Sequence, residues 1–283
     1  MVALPALRKE SNGVETAYRH LRYSPPELHH AYGPRVHVLA HPAMLSRLAR
    51  ICSPACETPE MMRLVNDLYR EMASIVASAE FPRTQVRIAT RMRRRHRQAD
   101  YAGEVVDPAT SVVCIDIARA GMVPTVTCYE VFSSIVDHRR VRQDHVFMNR
   151  RTDAKGRVVG VDLSGSKLGG RIDRAVVVVP DPMGATGSSL SGALDLYVKK
   201  KLGRPLKVIT MNLIVTPEFI RRLQADHPGV IIYAIRLDRG LSRPDVLRRR
   251  PGERWGEERG LNDRHYIVPG GGGFGELLNN AEE

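Results

Sequence analysis

Apolar residues along the chain form short unbroken runs and longer spaced series, and each pattern predicts a different element. Val176 to Val179 is four valines in a row, closed by Pro180, Asp181 and Pro182. A run this short and β-branched throughout reads as a strand buried on both faces, the habit of parallel sheets. Ser111 to Ile117, Leu206 to Val215 and Val230 to Leu237 read the same way. Spaced series lie among them. Met44, Leu45, Leu48 and Ile51 predict a helix over His41 to Ile51. Met61, Met62, Leu64, Val65, Leu68, Met72, Ile75 and Val76 give a second helix a broad apolar stripe, with Thr58 as N-cap and Pro59 at the first helical position. A helix opens after Ser189 with Leu190, Leu194 and Tyr197 or Val198 on one face, and another covers Pro217 to Ala225. Strand, helix, strand, helix, strand at this spacing predicts an α/β domain with a parallel sheet flanked by helices and right-handed crossovers. Ligands on such sheets bind at the carboxyl ends of strands, and Asp181, Arg119 and the segment after Leu237 fall on that edge.

The remaining stretches are polar or irregular. Residues 1–40 carry Pro25-Pro26 and no sustained period, which predicts an extended N-terminal arm ahead of a domain spanning 41–283. The arginine-rich stretch between Pro82 and Asp107 predicts a projecting hairpin or loop. Val146 to Met148 predicts a short strand, Asn149 to Gly156 a polar loop, and Val158 to Leu163 a returning strand.

A length of 283 residues with 43% hydrophobic content is ample for a buried core. The net charge of +12 is concentrated in Arg91, Arg93, Arg94, Arg95 and Arg97, in Arg139, Arg140, Arg142, Arg150 and Arg151, and in Arg248 to Arg250. Aromatic residues, at 5%, barely interleave with these clusters, which argues against a platform for stacking single-stranded nucleic acid. A solvated face or an oligomer contact is the plainer reading of the first and third clusters. Cys52, Cys56, Cys114 and Cys128 match no paired zinc spacing and read as free buried thiols. No apolar run approaches the ~20 residues needed to cross a bilayer, and the first residues lack a signal-peptide pattern. A cytoplasmic protein is the expectation.

The chemistry is concentrated after the valine run. Met183-Gly184-Ala185-Thr186-Gly187-Ser188-Ser189 is a loop of small residues between a strand and a helix N-terminus, a natural anion site. No lysine precedes Ser188 or Ser189, so the loop is not GxxxxGK[ST], and its glycines do not fit GxGxxG. An acid at the strand end, Asp181, followed by hydroxyl and amide donors, suits a ribose 5-phosphate.

These residues resemble the DPMxATGxS signature of uracil phosphoribosyltransferases, within the type I phosphoribosyltransferases. Ala118-Arg119-Ala120-Gly121-Met122 resembles that family's RAGxxM loop, and Leu261 to Gly270 resembles its LNxxGYIVPG segment. The resemblance covers roughly residues 41–283. It implies a type I phosphoribosyltransferase sheet with a hood formed by the N- and C-terminal segments, the base-binding part being 261–283. It implies transfer of the phosphoribosyl group of 5-phosphoribosyl 1-diphosphate (PRPP) to uracil, giving UMP and diphosphate, as in pyrimidine salvage. Asp181 would hold ribose hydroxyls. Pro182, Met183, Gly184, Ala185, Thr186, Gly187, Ser188 and Ser189 would cradle the 5-phosphate, Arg119 and a flap arginine, Arg150, the diphosphate, and Tyr266, Ile267, Gly272, Gly273 and Phe274 the base. Magnesium would enter on the diphosphate, with no metal ligands from the protein, and a homo-oligomer is expected.

The sequence departs from the family in two places. The family's GLGDxGDR continuation is here Gly270 to Leu277, with Gly273 where an aspartate is usual, so Glu276 would have to reach in or the base differs. The insertion Ser242 to Gly260 reads as an ordered surface excursion. Two other functions therefore stay open: a phosphoribosyltransferase for another heterocycle, and a PRPP-binding regulator that contacts RNA.

Overall fold

The computed structural model describes residues 15–152 and 158–281. The elements follow in chain order: β1 (Val36–Val38), α1 (Pro42–Ile51), α2 (Thr58–Glu80), β2 (Arg83–Ala89), β3 (Asp100–Val106), β4 (Val112–Ala118), α3 (Met122–Ile135), β5 (Val141–Thr152), β6 (Val158–Lys167), β7 (Val176–Pro180), β8 (Met183–Gly184), α4 (Ser188–Lys199), β9 (Lys207–Val215), α5 (Pro217–Asp226), β10 (Val230–Leu237), α6 (Pro244–Leu247) and α7 (Phe274–Leu277). The main sheet runs β1, β10, β9, β7, β4, β5, β6, with β8 pairing onto β9. Every pair in it is parallel except β5 with β6.

The valine run lies in the centre of this sheet. Val176 to Val179 are at most 1% exposed, because side chains on both faces of β7 enter packed layers. On one face α2 supplies Leu64, Val65, Leu68, Tyr69, Met72 and Val76 to the core. On the other, Leu190, Ala193 and Leu194 of α4 and Phe219, Ile220 and Leu223 of α5 close the second layer. At 25 cal/mol per Å² of apolar surface, burying each valine contributes on the order of 1.5 to 3 kcal/mol, so this strand anchors whatever its carboxyl end carries.

Helix starts follow local chemistry. The His41 ring caps α1 by accepting from the Met44 amide at 3.4 Å, with Pro42 at the first position. The second helix begins one residue earlier than its capping pattern suggests: Glu57 takes the cap position, and the Thr58 hydroxyl donates to the Leu277 carbonyl at 3.1 Å. That bond ties α2 to the C-terminal hood.

Two segments differ from the sequence expectation. The arm, read as extended through residue 40, delivers β1 to the edge of the sheet, pairing Val36 with Ile232 and Val38 with Ala234. Three residues are too few to display a period, so the strand was invisible until β10 offered its edge. The polar loop expected from Asn149 is in part strand: β5 continues to Thr152 and pairs antiparallel with β6, Arg150 opposite Val161. This hairpin extends beyond the packed layers, with Phe147 and Leu163 about half exposed, and without a buried face its sequence need not alternate. Residues 153–157 of the expected loop lie outside the described residues, as does the side chain of Arg150.

The arginine-rich stretch is a separate antiparallel hairpin of β2 and β3 whose tip, Arg91–Arg94, is a 3-10 turn. The four cysteines are free; Cys114 and Cys128 are buried, which pushes both thiols up from their ordinary pKa, whereas Cys52 and Cys56, in the turn between α1 and α2, are only partly buried. No helix among the described residues is long and apolar enough to cross a membrane.

Candidate active site

The strand β7 ends at Pro180, and Asp181 opens the turn that leads back to β9 through β8. The Asp181 amide donates to Met211 and its carbonyl accepts from Asn212 Nδ2 at 2.6 Å, so the backbone is held on both sides. Its carboxylate accepts from the Met183 amide at 3.3 Å. The chain then touches β9 again through β8, turns at Thr186 and enters α4 at Gly187, whose φ of +78° is a left-handed conformation that glycine adopts without a Cβ penalty. Thr216 fastens this turn by donating to the Ala185 carbonyl at 2.6 Å. The Thr186 hydroxyl accepts from the Ser188 amide at 3.3 Å and lies 3.1 Å from the Ser188 hydroxyl. The result is a ring of hydroxyls at the positive end of a twelve-residue helix, a cradle for a dianion.

One strand over, β4 ends in Ala118 and the chain turns through Arg119 into α3. Gly121 is required by close approach: a β-carbon there would lie 2.8 Å from the Ile117 carbonyl oxygen. The turn projects Arg119 over the same edge, its side chain 45% exposed.

The third wall comes from the tail. Arg236 forms a two-point pair with Asp238, 2.7 Å at each contact, and also donates to the Gly270 carbonyl, while Asp238 accepts from the Gly270 amide at 2.8 Å. This clamp sets the glycine run beside the sheet edge. Phe274 is buried in the core, so α7 is anchored and its neighbours face the cleft with backbone.

These pieces enclose one cleft of about 590 Å³. Asp181, Met183, Ala185, Thr186, Gly187, Ser188 and Ser189 line it together with Arg119, Tyr266, Ile267, Gly272, Gly273 and Phe274. Pro182 and Gly184 are not on its wall. The Pro182 carbonyl accepts from Leu213 and Ile214, and Gly184 pairs with Val215, so both turn toward β9 as supports.

Glu276, the acid expected to reach in beside Gly273, lines the cleft, and its Oε1 lies 3.1 Å from Arg119 Nη2. Two features escape the sequence reading. Phe147, Asn149 and Ser164 of the β5–β6 hairpin form a side wall. His265 lines the cleft too, with φ at +62° and its Nδ1 buried without a hydrogen-bond partner. A histidine inside the glycine position of LNxxGYIVPG was the available signal. Among the described residues no group of three His, Cys, Asp or Glu side chains could hold a metal ion.

The insertion stays away from the cleft. The Trp255 indole donates to the Pro217 carbonyl at 3.0 Å and packs edge-on against Tyr32, so the excursion and the arm close over the start of α5.

A mostly parallel sheet with an acid-led small-residue loop after its central strand, an arginine turn on the neighbouring strand and a backbone hood defines a type I phosphoribosyltransferase. Comparison narrows the class. The family model for uracil phosphoribosyltransferase matches residues 38–253, and the chain belongs to that family. It is 30% identical over 241 residues to the uracil phosphoribosyltransferase of Streptococcus equi subsp. zooepidemicus, covering 85% of this chain and 96% of the relative. The uracil phosphoribosyltransferase of Symbiobacterium thermophilum is also 30% identical, over 244 residues, 86% of this chain and 97% of the relative. The solved structure of the AQ2163 protein from Aquifex aeolicus superposes with a TM-score of 0.65 at 21% identity, covering 86% of this chain and 97% of that one, a likeness of fold. The protein is thus a glycosyltransferase-type enzyme by family.

Proposed function

We propose that the protein transfers the phosphoribosyl group of PRPP to uracil, releasing diphosphate and forming UMP, as a step of pyrimidine salvage. The observation that carries this reading is the convergence of the Asp181–Ser189 loop, Arg119 and the glycine-rich wall on one cleft. A ring nitrogen of the base attacks C1′ of the ribose, the C1′–O bond breaks with its electron pair leaving on the diphosphate, and the proton of the ring N–H is released to solvent. Positive charge builds on the ribose as this happens, so the chain's work is to orient reactants and stabilise the departing anion. Thr186, Ser188, Ser189 and the α4 amides hold the 5-phosphate, and Asp181 accepts from the ribose hydroxyls. Arg119 grips the diphosphate in a charge-assisted two-point contact, with Arg150 as its proposed partner from the hairpin. The base lies between Tyr266, Ile267 and the backbone of Gly272 to Phe274.

Magnesium fits this cleft as an ion carried by the substrate. It takes oxygen ligands, keeps several waters and binds through one or two carboxylates plus substrate phosphates, and Asp181, beside the phosphate cradle, is the carboxylate that would reach it. When bound it would neutralise diphosphate charge. We further propose a cytoplasmic homo-oligomer.

Diphosphate release from PRPP and magnesium with a panel of bases tests the reading: uracil should support the fastest release. Transfer to another heterocycle is the second reading, favoured by Gly273 and by the His265 ring on the base wall. For the remaining alternative, a regulator that contacts RNA, a filter-binding titration of structured RNA across salt concentrations is the discriminating measurement. Absence of a steep salt-dependent affinity is the expected result.

A further inference from the structure

Glu276 stands where two functions meet. Its Oε1 pairs with Arg119, while a β-carbon added to Gly273 would lie 2.5 Å from its Oε2. The carboxylate therefore bridges the diphosphate-binding arginine and the glycine wall proposed for the base, and it fits there because residue 273 has no side chain. We propose that Glu276 and the diphosphate of PRPP compete for Arg119, and that the displaced carboxylate then completes the base site by accepting an N–H from the heterocycle. This inference rests on the proposed function.

The geometry makes the exchange inexpensive. Both side chains are partly open to solvent, 45% and 27%, and pairs of that kind contribute little. A diphosphate carries more charge and matches the guanidinium fork at two oxygens, so the arginine moves to the ligand. The backbone under Glu276 is fixed, with Phe274 buried and the Leu277 carbonyl held by Thr58, so only the side chain has to swing. Two consequences follow. PRPP binds before the base, since the base site is complete only once Arg119 has been taken. The favoured base is a lactam or imide, whose ring N–H groups can donate to a carboxylate; a ring offering only acceptors on that edge would meet like polarity.

Calorimetry with magnesium diphosphate and with PRPP, beside steady-state kinetics on uracil, separates this from a structural role. Glu276→Gln should bind diphosphate about two- to fivefold tighter, having lost the competitor, while its KM for the base rises about tenfold. Loss of packing alone would weaken both. In Gly273→Asp the new side chain pushes the Glu276 carboxylate off Arg119, so diphosphate should again bind tighter. Unchanged or weaker diphosphate affinity in both variants overturns the inference, as does an unchanged base KM in Glu276→Gln. A wild-type protein that binds neither diphosphate nor PRPP overturns the functional reading and this inference with it. Normal wild-type turnover with no opposed shifts in the variants overturns the inference alone.

Discussion

Glu258, wholly buried in the insertion, pairs with Arg239 at 2.8 Å. The same carboxylate accepts from the Tyr32 hydroxyl and from the Gly252 amide at 2.9 Å. Arm, insertion and the end of β10 thus share one buried charge. Removing one partner of a buried pair leaves the other uncompensated, at a cost of roughly 3 to 5 kcal/mol. Glu258→Ala should therefore lower the urea midpoint sharply, while the affinity for PRPP in the folded fraction stays at the wild-type value. Equal midpoints would show that the insertion is dispensable to the domain.

Gly187 is the entry to α4 at φ +78°, and a β-carbon there would lie 3.2 Å from Arg222 Cγ. A β-branched residue cannot take that conformation without strain. Gly187→Val should shift the turn and abolish PRPP binding by calorimetry. Thr186→Val, which removes the hydroxyl facing Ser188, should weaken it. Undiminished affinity in both would mean the phosphate binds elsewhere.

Arg119→Ala removes the cation from the turn after β4. Losing a charge-assisted contact made to a leaving group slows turnover by roughly a hundredfold or more. Initial rates of diphosphate release at saturating PRPP measure this, and near-normal rates would remove Arg119 from the chemistry.

Glu80 couples the end of α2 to the sheet, accepting from Lys207 Nζ and from the Tyr233 hydroxyl, each at 2.8 Å. Burial raises its pKa, and these two donors outweigh burial, leaving the carboxyl below its ordinary value. A depressed folded-state pKa means the pair's contribution is complete above the ordinary carboxylate range and is lost as pH falls through the folded value. Stability measured from about pH 5 down to pH 3 should drop more steeply in wild type than in Glu80→Gln. Parallel curves would show that the pair contributes nothing to acid sensitivity.

The sequence by itself determined the layered core and the small-residue loop after β7. β7, β9 and β10 are legible because a strand buried on both faces is apolar at most positions, and α1 and α2 because a helix with one buried face must repeat at its own period. The Asp181–Ser189 loop is legible because its small residues and hydroxyls are contiguous, so local chemistry and local sequence coincide. Arg119 was readable for the same reason, as part of a short turn after a buried strand.

Only the tertiary structure decided which distant residues meet. β1 has too few residues to carry a pattern and exists because β10 has an open edge. The strands of the β5–β6 hairpin were legible only at Val146 to Met148 and Val158 to Leu163; β5's continuation to Thr152 is set by its pairing with β6 beyond the core that holds Val146. Glu276 reaches Arg119 across 157 positions of sequence, and the Arg236–Asp238 clamp holds Gly270 from more than thirty residues away. Such contacts depend on where the packed sheet delivers its edges, and a chain read one residue after another carries no record of that. The same packing set the Glu276 carboxylate against the bare backbone of Gly273, turning a missing side chain into the space another side chain fills.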